Sequence, residues 1–330
     1  MKKLLLLTVI AFLSFALLSC NDKTEESPTV TVAPESDFEY EENSDGGITI
    51  TGYVGKDRFT ATDKDVIIPE TINGKPVDVI GSGSFKYYYI NSVVIPNGVH
   101  TIEYDAFAGN SAIKKIVLPE TLVTIGNYAF TGCSSLSDIT LPESLTSLGG
   151  NAFEGCSSLK NIRIPKNLKE LPPSGFKESG LETIEIDSEL TYIPDFCFSN
   201  SKLKEITIHD SVEHIDWQAF SGCEELTSVV FGKGLKKLGY QVFSYCTKLT
   251  ELVFPKSIEK MYEIQFFGCT NLTSVKFEGN APEIDPEPED AYADDGHLIK
   301  TAKNEPITIY YHKSAEGFGE TWNGYPTDTW

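Results

Sequence analysis

Apolar residues recur along the chain in aligned copies with a period of 23 residues. Copies that begin at Ile116 and Ile139 share the identical run GCSSL, at residues 132–136 and 155–159. A period in the low twenties is typical of a solenoid, in which each copy is one coil that buries its apolar face only against its neighbours. The pattern therefore predicts a stack of coils with one continuous core.

Eight copies run from Val93 to Ser274, and a divergent copy precedes them. Two of the eight, which begin at Ile162 and Ile184, have 22 residues and lack the GC pair. The missing residue falls at the same place in both copies, so the pattern continues after them. With about 4.8 Å per coil, the stack spans on the order of 45 Å.

Each copy contains a short alternation that predicts a strand. In one copy Ile139 and Leu141 flank Thr140, so the two apolar side chains point inward and the threonine points outward. Pro142 then ends the strand, because proline has no backbone N–H to donate. Equivalent triplets in successive copies are expected to stack into one parallel sheet.

The N-terminus reads as an export signal followed by a lipid attachment site. Two lysines precede an apolar run at residues 4–18 that is too short for a convincing membrane-spanning helix. The run ends in LLSC at 17–20, which resembles the lipobox of bacterial lipoproteins and implies that Cys20 is diacylated and becomes the mature N-terminus. The alternative is an ordinary signal peptide that ends in cysteine.

The net charge of the chain limits the class of partner that it is predicted to bind. The formal net charge is −21, and loss of two lysines with residues 1–19 leaves 25 − 48 = −23. Such a field repels nucleic acid and anionic lipid. The predicted partner is therefore neutral, basic or bridged by a cation, and the membrane is contacted only through the lipid anchor.

Five cysteines follow the repeat phenylalanine by three residues and form a ladder: Cys133, Cys156, Cys223, Cys246 and Cys269. Zinc ligands converge on one point, often as CxxC pairs, and this chain has no such pair. The prediction is buried packing of small side chains, with one or two disulfides between coils as the alternative.

No motif points to catalysis. The run HDSVEH at 209–214 departs from the HExxH zinc pattern, and the run at 282–296 lacks the alternate acidic ligands of a calcium-binding loop. No nucleophile, base and orienting partner emerge together. The chain is predicted to be non-enzymatic, without a cofactor or a metal site.

The repeat resembles the BspA-like class of bacterial leucine-rich repeats, whose consensus approximates LxxIxIPxxVxxIGxxAFxxCxx. The resemblance covers residues 66–284, about two thirds of the chain, and the flanks at 47–65 and 307–330 look like the entry strands and closing segment of that class. It implies a β-rich leucine-rich-repeat solenoid of stacked parallel strands with small β caps at both ends. It also implies adhesion to host or bacterial proteins, including extracellular-matrix components, without a residue-level binding motif to transfer.

Together these signals divide the chain into five segments. They are a lipoprotein signal peptide at 1–19, the lipidated Cys20 with a flexible tether at 20–36, N-terminal cap strands at 37–65, the leucine-rich-repeat solenoid at 66–284, and an acidic insertion with a C-terminal cap at 285–330. The acidic start of the tether is similar to signals that send some bacterial lipoproteins to the cell surface. The predicted location is the outer membrane, exposed to the outside.

The outward positions of the repeat strands form the candidate binding surface, because solenoids commonly recognise partners through such an array. We call these sixteen residues the outer rows: Val94, Lys115, Val117, Asp138, Thr140, Asn161, Arg163, Thr183, Glu185, Glu205, Thr207, Ser228, Val230, Glu251, Val253 and Lys276. Valines at both ends of the array are compatible with a contact surface. The alternative is that valine simply favours strands and needs no partner.

The leading functional hypothesis is therefore a surface-anchored, adhesin-like module that binds a protein. Two other hypotheses remain open at this point, a lipoprotein that captures carbohydrate and a structural lipoprotein of the envelope. Exposed aromatic residues would favour the carbohydrate hypothesis. Candidates are the Tyr87, Tyr88 and Tyr89 run and Trp217, which are equally compatible with burial beneath the cap.

Overall fold

The computed structural model describes residues 31–55, 65–262, 265–285 and 307–330. The predicted signal peptide, Cys20, most of the tether and most of the acidic insertion lie outside these residues. A single 3-10 turn spans Glu35–Asp37. Within the described ranges no helix has the length and apolar character needed to cross a membrane.

The chain forms a β-solenoid of about 10 coils of stacked parallel strands, which confirms the predicted fold. In chain order the strands are β1 (Phe38–Glu42), β2 (Ile48–Tyr53), β3 (Asp65–Ile67), β4 (Thr71–Ile72), β5 (Lys75–Ile80), β6 (Ser92–Val94), β7 (Thr101–Ile102), β8 (Lys115–Val117), β9 (Thr124–Ile125), β10 (Asp138–Ile139), β11 (Ser147–Leu148), β12 (Asn161–Ile164), β13 (Thr183–Ile186), β14 (Tyr192–Ile193), β15 (Glu205–Thr207), β16 (His214–Ile215), β17 (Ser228–Val230), β18 (Lys237–Leu238), β19 (Glu251–Phe254), β20 (Lys260–Tyr262), β21 (Ser274–Phe277), β22 (Glu283–Asp285), β23 (Thr308–Tyr311), β24 (Thr321–Trp322) and β25 (Tyr325–Thr329).

A regular coil has one strand on each of two sides of the solenoid. The first side carries the triplet strands, such as β10, and the second side carries the shorter strands, such as β11. Neighbouring coils are in register, so that Ile116 pairs with Ile139 on the first side and Ile125 with Leu148 on the second. Equivalent positions of the repeat therefore form straight rows along the stack.

Both ends of the stack carry small β caps. At the N-terminus, β1 and β2 form an antiparallel pair, and β2 continues in parallel onto β5. At the C-terminus, β24 and β25 form an antiparallel hairpin, and β25 lies parallel to β23. Val32, inside the segment predicted as a tether, forms a parallel bridge with Ile67. These additions cover strand edges that would otherwise invite pairing with other chains.

The first side is interrupted, whereas the sequence pattern predicted one parallel sheet. Its strands pair in four groups, β3-β6-β8-β10, β12-β13, β15-β17 and β19-β21-β23-β25. The second side is also interrupted, between β11 and β14. The coil between those two strands contains Pro172 and Pro173, which cannot donate backbone hydrogen bonds. The stack is therefore less regular in its middle than at its ends.

A ladder of eight buried phenylalanines forms the centre of the core. Its members are Phe85, Phe107, Phe130, Phe153, Phe176, Phe198, Phe220 and Phe243. Successive rings are stacked, with centroids from 5.0 Å to 5.7 Å apart. Tyr53 of the N-terminal cap stacks on Phe85 at 5.5 Å, so the cap continues the ladder. We call this row the phenylalanine ladder.

All six described cysteines are free and buried, which confirms the packing prediction for the five ladder cysteines. The sixth, Cys197, occupies the alanine position of its coil. Each ladder thiol also lies within hydrogen-bonding distance of the carbonyl oxygen of the phenylalanine one coil earlier, as in Cys133 Sγ to Phe107 O at 3.2 Å and Cys269 Sγ to Phe243 O at 2.9 Å. In the coil of Phe107, Asn110 takes the place of the cysteine and donates its Nδ2 to Phe85 O at 2.5 Å. The repeated cysteine is thus a small buried donor as well as a filler.

We expect stability to fall at alkaline pH because of these thiols. Burial raises the pKa of Cys133 from 9.0 to about 12 and that of Cys223 to about 11. Above pH 9 the unfolded chain loses thiol protons that the folded chain keeps, so the free energy of unfolding should decline as pH rises towards 11–12. Urea denaturation at about pH 7.5 and about pH 10.5 measures this decline.

The control is the double variant Cys133→Ala, Cys223→Ala, which is less stable at both pH values because packing is lost. Between the two pH values, the free energy of unfolding of this variant should decline less than that of the parent chain. An equal decline in both proteins would show that lysine and tyrosine titration, and not the thiols, accounts for the effect.

Candidate protein-binding surface

Fifteen of the sixteen residues of the outer rows lie in first-side strands, Thr140 directly follows β10, and none of the sixteen is buried. The strand registers place Val94 beside Val117, Arg163 beside Glu185 and Thr207 beside Val230. The structure therefore brings the predicted residues together on one face. The valines are not equivalent, since Val230 is 55% exposed and the other three are half-buried.

Cations of the outer rows are paired with acids of adjacent coils. Lys115 Nζ lies 2.7 Å from Asp138 Oδ2, and Lys276 Nζ lies 2.6 Å from Glu251 Oε2. Such exposed pairs contribute only about 0–1 kcal/mol each to stability. Their main effect here is to neutralise the positive charges of the face.

Arg163 is held between two acids from the coils on either side. Its guanidinium lies 2.7 Å from Glu143 and also pairs with Asp187. The hydrogen bond to Glu143 is the main reason that the pKa of Arg163 is raised. In contrast, Glu185 and Glu205 are exposed and have no ion-pair partner within the described ranges. Uncompensated negative charge is therefore concentrated near the middle of the face.

A cleft opens in this middle region, between β13 and β15. The backbones of the two coils are joined by hydrogen bonds from Lys204 N to Glu182 O at 3.2 Å and from Glu213 N to Thr191 O at 2.8 Å. Between those two points, where every residue is described, no backbone–backbone hydrogen bond joins the coils, and Ser211 Oγ donates to Leu190 O at 2.6 Å. We call this opening the central cleft.

The central cleft has a volume of about 400 Å³ and an apolar interior. Its walls include the side chains of Ile184, Ile186, Leu190, Ile193, Ile206, Ile208 and Val212, and its outer lining includes Thr183, Glu205, Thr207, His209, Ser228 and Val230. Five of the outer-row residues thus surround an apolar cavity. The cavity lies on the face that the sequence identified for independent reasons.

The burial of equivalent residues in successive coils also identifies the region of the central cleft. Ile184 is half-buried, whereas the equivalent residues of the neighbouring coils, Ile162 and Ile206, are each 5% exposed. This position is buried in every other described coil of the first side from Val66 to Val275. Ile184 therefore presents apolar surface that the rest of the repeat conceals.

The two 22-residue copies of the repeat lie beside the central cleft. From the ladder phenylalanine to the next leucine, Phe153–Leu159 spans six steps, whereas Phe176–Leu181 and Phe198–Leu203 each span five. These two shortened turns lead directly into β13 and β15. They do not by themselves explain the loss of pairing, because β13 still pairs with β12 and β15 still pairs with β17, and both of those partners follow turns of full length. The alternation predicted that Ile184 and Ile186 point inward and are buried, so they were missed as site residues.

The other candidate residues of the sequence differ in their exposure. Tyr87 and Tyr89 are exposed, Tyr88 is buried, and Trp217 is half-buried beside Tyr240. The ring of His209 hydrogen-bonds with Ser211 at 2.9 Å. Across the part of the chain that the structure describes, no group of three His, Cys, Asp or Glu side chains is arranged to hold a metal ion.

Comparisons with solved structures show the same fold in other bacterial proteins. A leucine-rich repeat protein from Bacteroides ovatus is 24% identical with a TM-score of 0.70, over 83% of this chain and 70% of that one. The T. pallidum leucine-rich repeat protein is 27% identical with a TM-score of 0.50, over 66% of this chain and 91% of that one. A leucine-rich cell surface protein from Faecalibacterium prausnitzii is 19% identical with a TM-score of 0.50, over 80% and 96% of the two chains.

None of the curated protein sequences compared with the chain matches it. The model of the BspA-type leucine-rich repeat region matches residues 78–202 and 191–288, in six copies. These ranges cover more than half of the 330 residues and coincide with the coils described above. The chain belongs to the BspA-type leucine-rich repeat family.

Proposed function

We propose that this chain is a non-enzymatic, surface-anchored, adhesin-like module that recognises a protein through the outer rows. Membership of the BspA-type family indicates a protein-interaction module, and the repeat and its solenoid fold are typically non-enzymatic. The observation that carries the proposal is the arrangement of the outer rows as one exposed face on a stacked core, with Val230 55% exposed beside Thr207. Solenoids commonly bind through such faces.

The partner class follows from charge and from the family. The lysines and the arginine of the outer rows are already paired, so the face favours a neutral or basic partner. We infer a host or bacterial surface protein, including extracellular-matrix components, and neither nucleic acid nor membrane lipid. The name of the Faecalibacterium protein, a cell surface protein, supports a similar location.

In this proposal a lipid on Cys20 anchors the chain, and the acidic start of the tether directs the repeats to the outer face of the outer membrane. A periplasmic structural lipoprotein is the competing possibility. Intact cells distinguish the two, because added protease reaches only a domain on the outside.

Charge placed on the most exposed valine of the outer rows should weaken partner binding. We expect Val230→Asp to weaken binding of a matrix or bacterial surface protein at least about tenfold, since a few apolar contacts dominate such interfaces. The measurement is binding of the mature, lipid-free chain to a panel of matrix proteins, surface extracts and glycans, at physiological and raised salt.

The matched control for this experiment is Val123→Asp, which alters a valine that is 38% exposed and lies beside the second-side strand β9. It should leave binding unchanged. Equal losses in the two variants, or binding that disappears at raised salt in the parent chain, would contradict recognition through the outer rows.

Carbohydrate capture remains the second candidate because two exposed tyrosines lie together away from the outer rows. The rings of Tyr104 and Tyr128 are 5.6 Å apart at an interplanar angle of 67°. Rings at this angle do not share one flat surface on which a sugar stacks. A saturable glycan signal in the same panel, unaffected by Val230→Asp, would place this candidate first.

A further inference from the structure

We propose that the central cleft receives one apolar side chain from an extended, basic segment of the partner protein. This inference rests on the proposed function and specifies its point of contact. The cleft volume of about 400 Å³ lies in the roughly 300–1,000 Å³ range of ligand pockets. An anchor residue inserted into such a pocket characteristically dominates the binding free energy of an interface.

The shape of the occupant follows from the two strands beside the cleft. Among the described strands, β13 pairs with β12 and β15 pairs with β17, so the opening between β13 and β15 is not closed by strand pairing. Hydrogen bonds at both ends of the opening hold the two coils together, so the opening admits a side chain and not an additional strand. Because side chains alternate along an extended segment, one of them points into the cleft while its neighbours remain at the rim.

The chemistry of the anchor follows from the cleft interior. Ile184 and Ile186 are half-buried at its mouth, and Ile206 and Ile208 are buried inside it. A leucine, isoleucine or phenylalanine covers this surface and removes its apolar area from water, which favours binding. A polar anchor would lose its hydration without a compensating partner.

The charge of the flanking residues follows from Glu185 and Glu205. Both carboxylates lie on the strands that border the cleft, and neither is paired within the described ranges. The nearby Lys204 is engaged with Glu182, and Arg163 is engaged with Glu143 and Asp187. Lysine or arginine beside the anchor therefore meets uncompensated negative charge. An acidic segment, including the one at 285–296 of this chain, is repelled.

The test uses the mature, lipid-free chain and a pool of synthetic peptides of about ten residues in extended-prone sequences. Their central anchor is Leu, Ile, Phe or Ala, and their flanks are either Lys or Glu. We expect the Lys-flanked peptides with a large apolar anchor to bind, and the Ala anchor to weaken binding at least about tenfold. The proposal is overturned if no peptide binds, or if the affinity does not depend on the anchor residue.

Charge reversal at the rim provides the second arm. The double variant Glu185→Lys, Glu205→Lys changes exposed residues and should fold normally. This variant should no longer bind the Lys-flanked peptides and should bind the Glu-flanked ones. The double variant Glu120→Lys, Glu278→Lys makes the same change in net charge at exposed positions away from the cleft, and should keep the original preference. Equal behaviour of the two variants indicates general electrostatic attraction and overturns the proposal.

Two further outcomes separate this inference from the proposed function. A panel protein whose binding is weakened by Val117→Asp, outside the cleft lining, but is unaffected by Glu185→Lys, Glu205→Lys retains the proposed function and removes the cleft as its contact point. Self-association in sedimentation experiments that the same double variant abolishes, without any peptide binding, makes a second copy of the chain the occupant and overturns the peptide proposal.

Discussion

Phe153→Ala is expected to lower the free energy of unfolding by about 3–5 kcal/mol, the usual cost of removing a fully buried aromatic ring. Phe153 is 0% exposed, and its ring stacks on Phe130 at 5.3 Å and on Phe176 at 5.7 Å. The substitution removes both stacking contacts and leaves a cavity in the middle of the phenylalanine ladder. Urea denaturation followed by circular dichroism measures the loss.

The consequences should extend along the stack, because each coil is stabilised mainly by its two neighbours. We expect the variant to unfold over a broader range of urea, or in two steps, as the halves on either side become uncoupled. Tyr89→Ala serves as the control, since it removes an exposed ring and should cost less than about 1 kcal/mol. A loss for Phe153→Ala as small as that of the control would contradict the role assigned to the ladder.

Gly149→Ala should destabilise the protein by about 3 kcal/mol, whereas the same change at Gly150 should be nearly neutral. A Cβ atom on Gly149 would overlap the backbone nitrogen of Asn127 and the backbone carbon of Gly126, which belong to the preceding coil. Backbone atoms move only with the whole coil, so the overpacking cost lies at the upper part of the usual 1–3 kcal/mol range. A Cβ on Gly150 would meet nothing closer than Pro173 O, at 3.6 Å.

Neither glycine has a positive φ, so the contrast isolates the close approach of two coils from backbone preference. Alanine at position 150 also restricts the unfolded chain, which favours folding by about 0.4–1 kcal/mol where the native conformation tolerates it. Thermal and urea denaturation of the two variants side by side test the difference. Similar stabilities for both would mean that the coils separate more easily than their packing indicates.

Several features of the fold were predictable because the repeat itself encodes them. The alternation around Thr140 determines which side chains face outward, and a constant period carries that direction to every other coil. The recurrence of Phe153 and Cys156 at fixed places in a solenoid repeat implies burial, since such positions lie against the same positions of the next coil. The outer rows follow from the same argument and are found together on one face.

Features that depend on two coils at once were not predictable from the pattern. The pairing of Arg163 with Glu143 and Asp187 requires three coils to be in a particular register. The hydrogen bond from Cys133 to the carbonyl oxygen of Phe107 likewise depends on the distance between coils, so the sequence indicated a filler and missed the donor. In each case the sequence names the residue types but not the separation between them.

The sequence by itself determined the repeat, the inward and outward positions, the buried phenylalanine and cysteine rows and the acidic character of the chain, because these properties are local to one copy or to the composition. Only the tertiary structure decided where the first side opens and that Ile184 is half-buried there. The physical reason is that strand pairing is a property of two neighbouring backbones. The hydrogen bonds and burial between β13 and β15 depend on the relative position of two coils, which no single copy of the repeat specifies.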